Sequence, residues 1–452
     1  MNQLEEAVAR YQKVIESEPF RDLSWAEELA SKMHAGNLTH GGRLICPFLR
    51  PNFITRRQYE NMVKAAEALF SAIDRVEQVA LNDPALLARM ELLPAEKMLA
   101  AIDPGYPFLA VTSLLDTHLT NGSVHFVDYY ADTPIGVAYG DALADLFYDA
   151  PPVKEFRKRY KLEKLGGKKH LLSALLKAWK HFGGKRPPRI AILEFRQGLQ
   201  GGEQGEHALL RDYFRSEGYE AEIISPDQLE YRGGVLHRNG FSIDLVFRRF
   251  KVREFLMRFD LSHPLVRAYR DRSICMVNSF RSELAQKKAI FDLLTDEQIT
   301  ASFPAAEKKA IRQYIPWTRV VGARQTTHNG EVIDLIDFAL KNRETLALRP
   351  NDDGSGQPAI RGWEVDEATW ERSLKRAMRT PYVVQERLDP PRSRFPLYRY
   401  GEMEFKDVQI DVLPHAFLGK VQGCSSWLTG VNGGSFSTIT GLAPTYILQS
   451  RS

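Results

Sequence analysis

Two apolar segments in the last third of the chain constrain it more than any other feature. Leu346-Ala-Leu-Arg-Pro-Asn-Asp-Asp-Gly-Ser-Gly-Gln357 reads as a buried strand that runs into a cation, Arg349, and then into a loop of small residues. Tyr382-Val-Val-Gln-Glu-Arg387 reads as a second apolar strand that ends in polar side chains. A strand-borne cation and a glycine loop beside a strand that ends in an amide and a carboxylate would together hold a nucleotide. The phosphates would lie on the cation and the loop amides, with the base at the strand end.

At 452 residues the chain has room for several lobes. Its 44% apolar and 26% charged residues are those of an ordinary globular protein. No apolar run approaches the roughly 20 residues that cross a bilayer. The acidic start, Met1-Asn-Gln-Leu-Glu-Glu-Ala, has neither the basic nor the apolar region of a signal peptide. Cys46, Cys275 and Cys424 are far apart and have no metal-ligand spacing. The expectation is a cytoplasmic protein that engages neither membrane nor nucleic acid. The net charge of +4 is small, yet Lys154 to Arg189 carries thirteen Lys/Arg against Glu155 and Glu163. Within it Leu171, Leu172, Leu175, Leu176 and Trp179 follow helical spacing. One reading is a solvated basic helix with its leucine face on the body; a docking face for an acidic partner or polyanionic substrate is the other.

Five regions follow from the texture. Residues 1–105 are mostly helical, with an amphipathic stripe from Arg56 to Val79. Residues 106–150 hold two expected strands, Phe108–Asp116 and Val124–Tyr130, and 151–188 form the basic connector. Residues 189–276 alternate strands with a helix from Glu206 to Gly218, and 277–452 mix short strands, turns and helices. The loop Gly198 to Gly205 does not match G-x-G-x-x-G, so no dinucleotide site is expected there.

Arg281 to Leu294 is expected to be one helix carrying Lys287 and Lys288 about 100° apart, so that one can face a cleft while the other is solvated. Residue types alone make both surface lysines. Gln385 and Glu386 stand at a strand end, either reading a base edge or exposed on an edge strand. Asp116 and Asp128 are separated by eleven residues across a turn, and carboxylates on adjacent strands are natural ligands for a hard cation. Cys424, Ser425 and His415 are close in sequence, but no context sets a base beside either nucleophile.

The order of these motifs, over roughly residues 105 to 450, resembles the circularly permuted branch of the ATP-grasp ligases that includes glutathionylspermidine synthase. Leu114-Leu-Asp116, Asp128-Tyr-Tyr130 and Ala131-Asp-Thr-Pro134 carry the likeness in the first half; Lys288-Ala-Ile290, Leu348-Arg-Pro350 and Gln385-Glu386 carry it in the second. The resemblance implies an α/β fold (α+β lobes) with a circularly permuted ATP-grasp core. Residues 1–105 would be its helical N-terminal region, 106–150 its metal-binding part, 151–188 a connector, 189–276 a pre-grasp-like lobe and 277–452 its ATP-binding lobes. It further implies ATP on Lys288, Arg349, Gly354, Gly356, Gln385 and Glu386, and Mg2+ on Asp116 and Asp128. The implied reaction passes the γ-phosphate to the carboxylate of a small-molecule or peptide substrate, and an amine then displaces it.

The chain departs from the family at named positions. Arg349 stands where the family has lysine, and Leu114 and Trp427 stand where it has arginine. Asp128 replaces glutamate, Tyr130 replaces asparagine, and Pro358 follows the glycine loop. With leucine at 114 no catalytic residue is assigned. Two functions stay open: an ATP-dependent carboxylate–amine ligase acting through an acyl phosphate, and a catalytically degenerate ATP-grasp protein that serves as a nucleotide- or peptide-binding partner, with a protein partner allowed.

Overall fold

The Thr55 hydroxyl accepts the Gln58 amide at 3.2 Å, and Gln58 Oε1 accepts the Thr55 amide at 2.9 Å. This reciprocal cap starts the 27-residue helix Arg56–Asn82. Its stripe of Met62, Ala65, Leu69, Phe70, Ile73 and Val76 is buried against Leu115, Phe126 and Tyr129 of a large sheet. The computed structural model in which these contacts are seen describes residues 3–120, 122–195, 205–352, 357–431 and 439–449.

The large sheet has eight strands. Its main path runs Asn52–Thr55, Thr440–Gln449, Lys420–Gly430, Glu402–Phe417, Thr112–Leu119 and Val124–Tyr130, with Arg392–Arg399 and Lys161–Lys164 pairing at its side. A strand from the start of the chain thus pairs in parallel with the last one, Asn52 opposite Thr445. The first expected strand, Phe108–Asp116, forms instead at Thr112–Leu119.

A second sheet of four antiparallel strands is ordered Thr318–Val320, Tyr382–Glu386, Leu346–Pro350 and Ile360–Arg361. Helices Leu335–Lys341 and Glu367–Ala377 cover its outer face around the buried Trp370. The third sheet, Cys275–Val277, Leu245–Arg248, Ile190–Leu193 and Ala221–Ile224, is wholly parallel. Its strands are mostly apolar, and all but the edge strand Ala221–Ile224 are buried throughout, as crossover helices on both faces require. One of those helices is Lys168–Phe182, which buries Leu171, Leu172 and Leu175 there and exposes Lys169, Lys177 and Lys180, the arrangement of a solvated basic helix.

One expected helix is broken. Between Arg281 and Leu294 the chain forms a 3-10 turn, the short helix Glu283–Gln286, an extended residue at Lys287 and a second helix, Ala289–Leu294. Asn351 causes the break: its carbonyl accepts the Lys288 amide at 3.0 Å, and its side-chain oxygen accepts the Ala289 amide at 2.8 Å. A new helix therefore starts at a tertiary contact. Among the described residues no helix is long and apolar enough to cross a membrane.

Some carboxyl groups sit in the core. Burial pushes Glu77, on the long helix, well above the usual range, with Asp74 adding to the effect and the Ala285 amide opposing it. Burial also pushes Asp74 up to about 7. An acid whose folded pKa is raised adds stability that is full below its unfolded value near 4 and is lost as pH climbs through the raised value. Chemical denaturation is therefore expected to show stability falling from about pH 5 to about pH 8, with a flatter profile in Glu77→Gln. A profile that rises over that window would contradict this.

Candidate functional site

The face of the large sheet turned away from the long helix meets the four-stranded sheet across a cleft of about 580 Å³. Strand geometry decides which side chains enter it. Asp116 lies directly opposite Asp128 in the ladder, and Leu114 directly opposite Tyr130, so all four share one face while Leu115 and Tyr129 point into the core. A register shift between Asp116 and Thr117, where the next pair is Thr117 with Phe126, sets Asp128 rather than Val127 opposite Asp116 and so brings the two carboxylates together. Across the cleft, Ala347 pairs with Gln385 and Arg349 with Val383, which turns Arg349 and Gln385 to the same side.

The cations meet at Asp128. Lys288 Nζ donates to Asp128 Oδ1 at 2.6 Å, and the Arg349 guanidinium donates to Asp128 Oδ2. Arg349 Nη1 also donates to Gln385 Oε1 at 3.0 Å and to the Val127 carbonyl at 3.1 Å, and Gln385 Nε2 donates to Thr318 Oγ1 at 3.0 Å. Although burial works against it, the Arg349 and Lys288 charges hold the Asp128 carboxyl below its usual range. Asp116 behaves oppositely: burial, then Asp128 and Asp411, push it well above that range, against Lys288 and Arg349. Its hydrogen bond comes from the Tyr130 hydroxyl at 3.4 Å. Glu386 lines the cleft, but its carboxylate accepts the Trp317 amide at 3.2 Å and lies 2.8 Å from His328 Nε2.

As arranged, these donors do not fit a magnesium ion. Mg2+ needs several ionised or carbonyl oxygens in near-octahedral array at about 2.1 Å. Both Asp128 oxygens are committed to cations, one Asp116 oxygen takes the Tyr130 hydroxyl, and Tyr130 itself offers a phenol. The acidic residues that do gather among the described residues are Glu96, Glu283 and Asp352. There Lys287 supplies the positive charge, its Nζ lying 3.0, 2.6 and 2.8 Å from their oxygens.

That cage corrects the expectation for the lysine pair. Lys287 is not solvated; it is 2% exposed, and Lys288 is 4% exposed. Burial pushes Glu283 up to about 8, while the Glu283, Asp352 and Glu96 charges, opposing burial, hold Lys287 above its ordinary value. A second cation stands beside the cage, Arg253, whose Nη1 is 3.7 Å from Asp352. Gly354 and Gly356 lie outside the described residues.

His118 and Asp411 went unrecognised in the sequence. Both line the cleft, and His118 Nε2 lies 3.1 Å from Asp411 Oδ1. The available signal was period-two spacing, since His118 follows Asp116 on the same face. Trp427 sits opposite Asp411 in the ladder, with its ring packed among apolar residues. Asp132, in the Ala-Asp-Thr-Pro motif, is buried and paired with Arg248. At the remaining nucleophile candidates, burial pushes the Cys424 thiol up to about 12, and Ser425 Oγ lies 2.9 Å from a His415 ring that burial lowers to about 4. Such groups suit packing better than attack.

No protein-family model matches the sequence, and no curated protein matches it. Solved structures do. A glutathione synthetase-like effector from Globodera pallida, in its apo form, superposes with a TM-score of 0.62 at 14% identity, covering 96% of this chain and 98% of its own. A putative gamma-glutamylcysteine synthetase from Methylobacillus flagellatus matches at TM-score 0.43 and 10% identity, over 85% of this chain and 86% of its own. A RimK-domain ATP-grasp protein from Sphaerobacter thermophilus matches at 0.28 and 15%, over 57% and 90%. The first superposition shows the fold: a mixed α/β chain of several sheets, built like a glutathione synthetase-like protein along nearly its whole length, and consistent with the ATP-grasp architecture that the motif order implies.

Proposed function

We propose that the cleft binds ATP and that the chain is a nucleotide-binding protein of circularly permuted ATP-grasp architecture, similar to glutathionylspermidine synthase in motif order. The convergence of Arg349, which lines the cleft, and of Lys288, buried behind it, on the cleft-wall carboxylate Asp128 carries this reading. Two cations held at a cleft wall are a seat for an anion, and Arg349 presents the planar fork that suits phosphate. The base would lie toward Gln385–Arg387, where the cleft is also lined by Ala347 and Trp363.

Binding without turnover is the reading the geometry supports best. Leu114 is 3% exposed and places an alkyl group where the family has a guanidinium, and loss of one such contact to a developing charge costs about two to three orders of magnitude in rate. ATP-dependent carboxylate–amine ligation is the second reading, favoured by the opposed pair Asp116 and Asp128. ADP release in the presence of ATP with pooled amino acids, peptides and polyamines separates them. Nucleotide bound at equilibrium, with ADP no faster than the protein-free control, is the expected outcome. ADP release that requires both a carboxylate and an amine would make ligation the correct reading.

A further inference from the structure

The ion pairs in the cleft set its phosphate-binding cations against its expected metal ligand. We propose, resting on the reading that the cleft binds a nucleotide, that phosphate is captured by exchange of counter-ions and without a metal: the phosphates take Lys288 and Arg349 away from Asp128. Each Asp128 oxygen meets one of the two cations, so the carboxylate occupies the seat as a single-charge stand-in for phosphate. A polyphosphate brings more negative charge and more acceptor oxygens to the same ammonium and guanidinium. Arg349 is already aimed by two further bonds from Nη1, to Gln385 Oε1 at 3.0 Å and to the Val127 carbonyl at 3.1 Å. The seat therefore stays organised when Asp128 lets go.

A divalent cation on Asp128 would have to break both ion pairs. Until phosphate takes them, Lys288 and Arg349 would then face the metal at short range, and like charges in a poorly hydrated site repel strongly. Across the ladder, one Asp116 oxygen takes a hydrogen bond from the Tyr130 hydroxyl. Metal and phosphate-binding cations are thus competitors for one carboxylate. Asp128 in turn competes with the incoming phosphate.

The test is calorimetric titration of ATP, and separately of inorganic tripolyphosphate, into the full chain in EDTA and in magnesium. The expected result is an ATP Kd in EDTA within about threefold of that in magnesium, and a bound state that tripolyphosphate competes away. Asp128→Asn, which removes the competing charge, should tighten ATP in EDTA by about tenfold, equivalent to about 1.4 kcal/mol. ATP binding in magnesium that weakens more than tenfold in EDTA would overturn the inference while leaving the nucleotide reading intact. So would a folded Asp128→Asn protein that binds ATP more weakly in EDTA. Absence of ATP binding in both buffers would instead overturn the nucleotide reading itself. If Asp128→Asn does not fold, the wild-type comparison of the two buffers decides alone.

Discussion

Lys287→Met is expected to destabilise the fold by about 3–5 kcal/mol, because it strips the cation from a buried ion cluster and leaves the acids behind. Lys287 joins three parts of the chain: Glu96 on the helix Pro94–Ala100, Glu283 on the short helix before it, and Asp352 just beyond the strand Leu346–Pro350. Both Lys287 and Glu283 are 2% exposed, so solvent screens these interactions little. Without the ammonium the acids must either face one another charged or take up protons. The loss should therefore grow with pH and be larger near pH 8 than near pH 5, which a packing defect alone would not show. Urea denaturation followed by tryptophan fluorescence at the two pH values measures both features. An effect below about 0.5 kcal/mol at either pH would mean that Lys287 does not hold the cage. Lys288→Met should cost less, because Asp128 keeps Arg349.

The binding phenotype should reverse that ranking. Lys288→Met and Arg349→Met are each expected to weaken ATP binding by roughly one to two orders of magnitude, since a hydrogen bond to a charged group contributes about 1.5–3 kcal/mol. Both side chains can lose their charge without leaving Asp128 wholly unpaired, so the variants should fold. Arg349→Lys should recover part of the affinity, because the charge returns without the planar fork that also reaches Gln385. Titration of ATP into each purified variant supplies the comparison. Wild-type affinity in both methionine variants would place the anion seat elsewhere.

Much of the site was legible because strand pairing is local arithmetic. Asp116 and Asp128 fall on the two arms of one hairpin, but unbroken pairing from Leu119 and Val124 would set Asp116 against Val127, and a register shift beside Asp116, which periodicity does not reveal, brings Asp128 opposite it instead. Leu346–Pro350 and Tyr382–Glu386 read as strands from their apolar residues, and they pair along their full length. What failed depends on contacts between distant segments. Lys287 looked solvated because Glu96, which is 191 residues away, cannot be placed beside it by periodicity. The helix expected through it is interrupted by Asn351, some sixty residues later in the chain. His118 and Asp411 meet only because the strands Thr112–Leu119 and Glu402–Phe417 are neighbours in the large sheet. The pairing of Asn52–Thr55 with Thr440–Gln449 is of the same kind.

A structure of the protein with a bound ATP analogue tests the central claim most directly. The phosphates are expected between Lys288 Nζ and the Arg349 guanidinium, within about 3 Å of both, with Asp128 displaced from at least one of them and the base beside Gln385–Arg387. The contrary result is a nucleotide bound outside this cleft while Lys288 and Arg349 keep Asp128. One such place is the larger cavity of about 1040 Å³ lined by Arg56, Arg57, Tyr314 and Gln449.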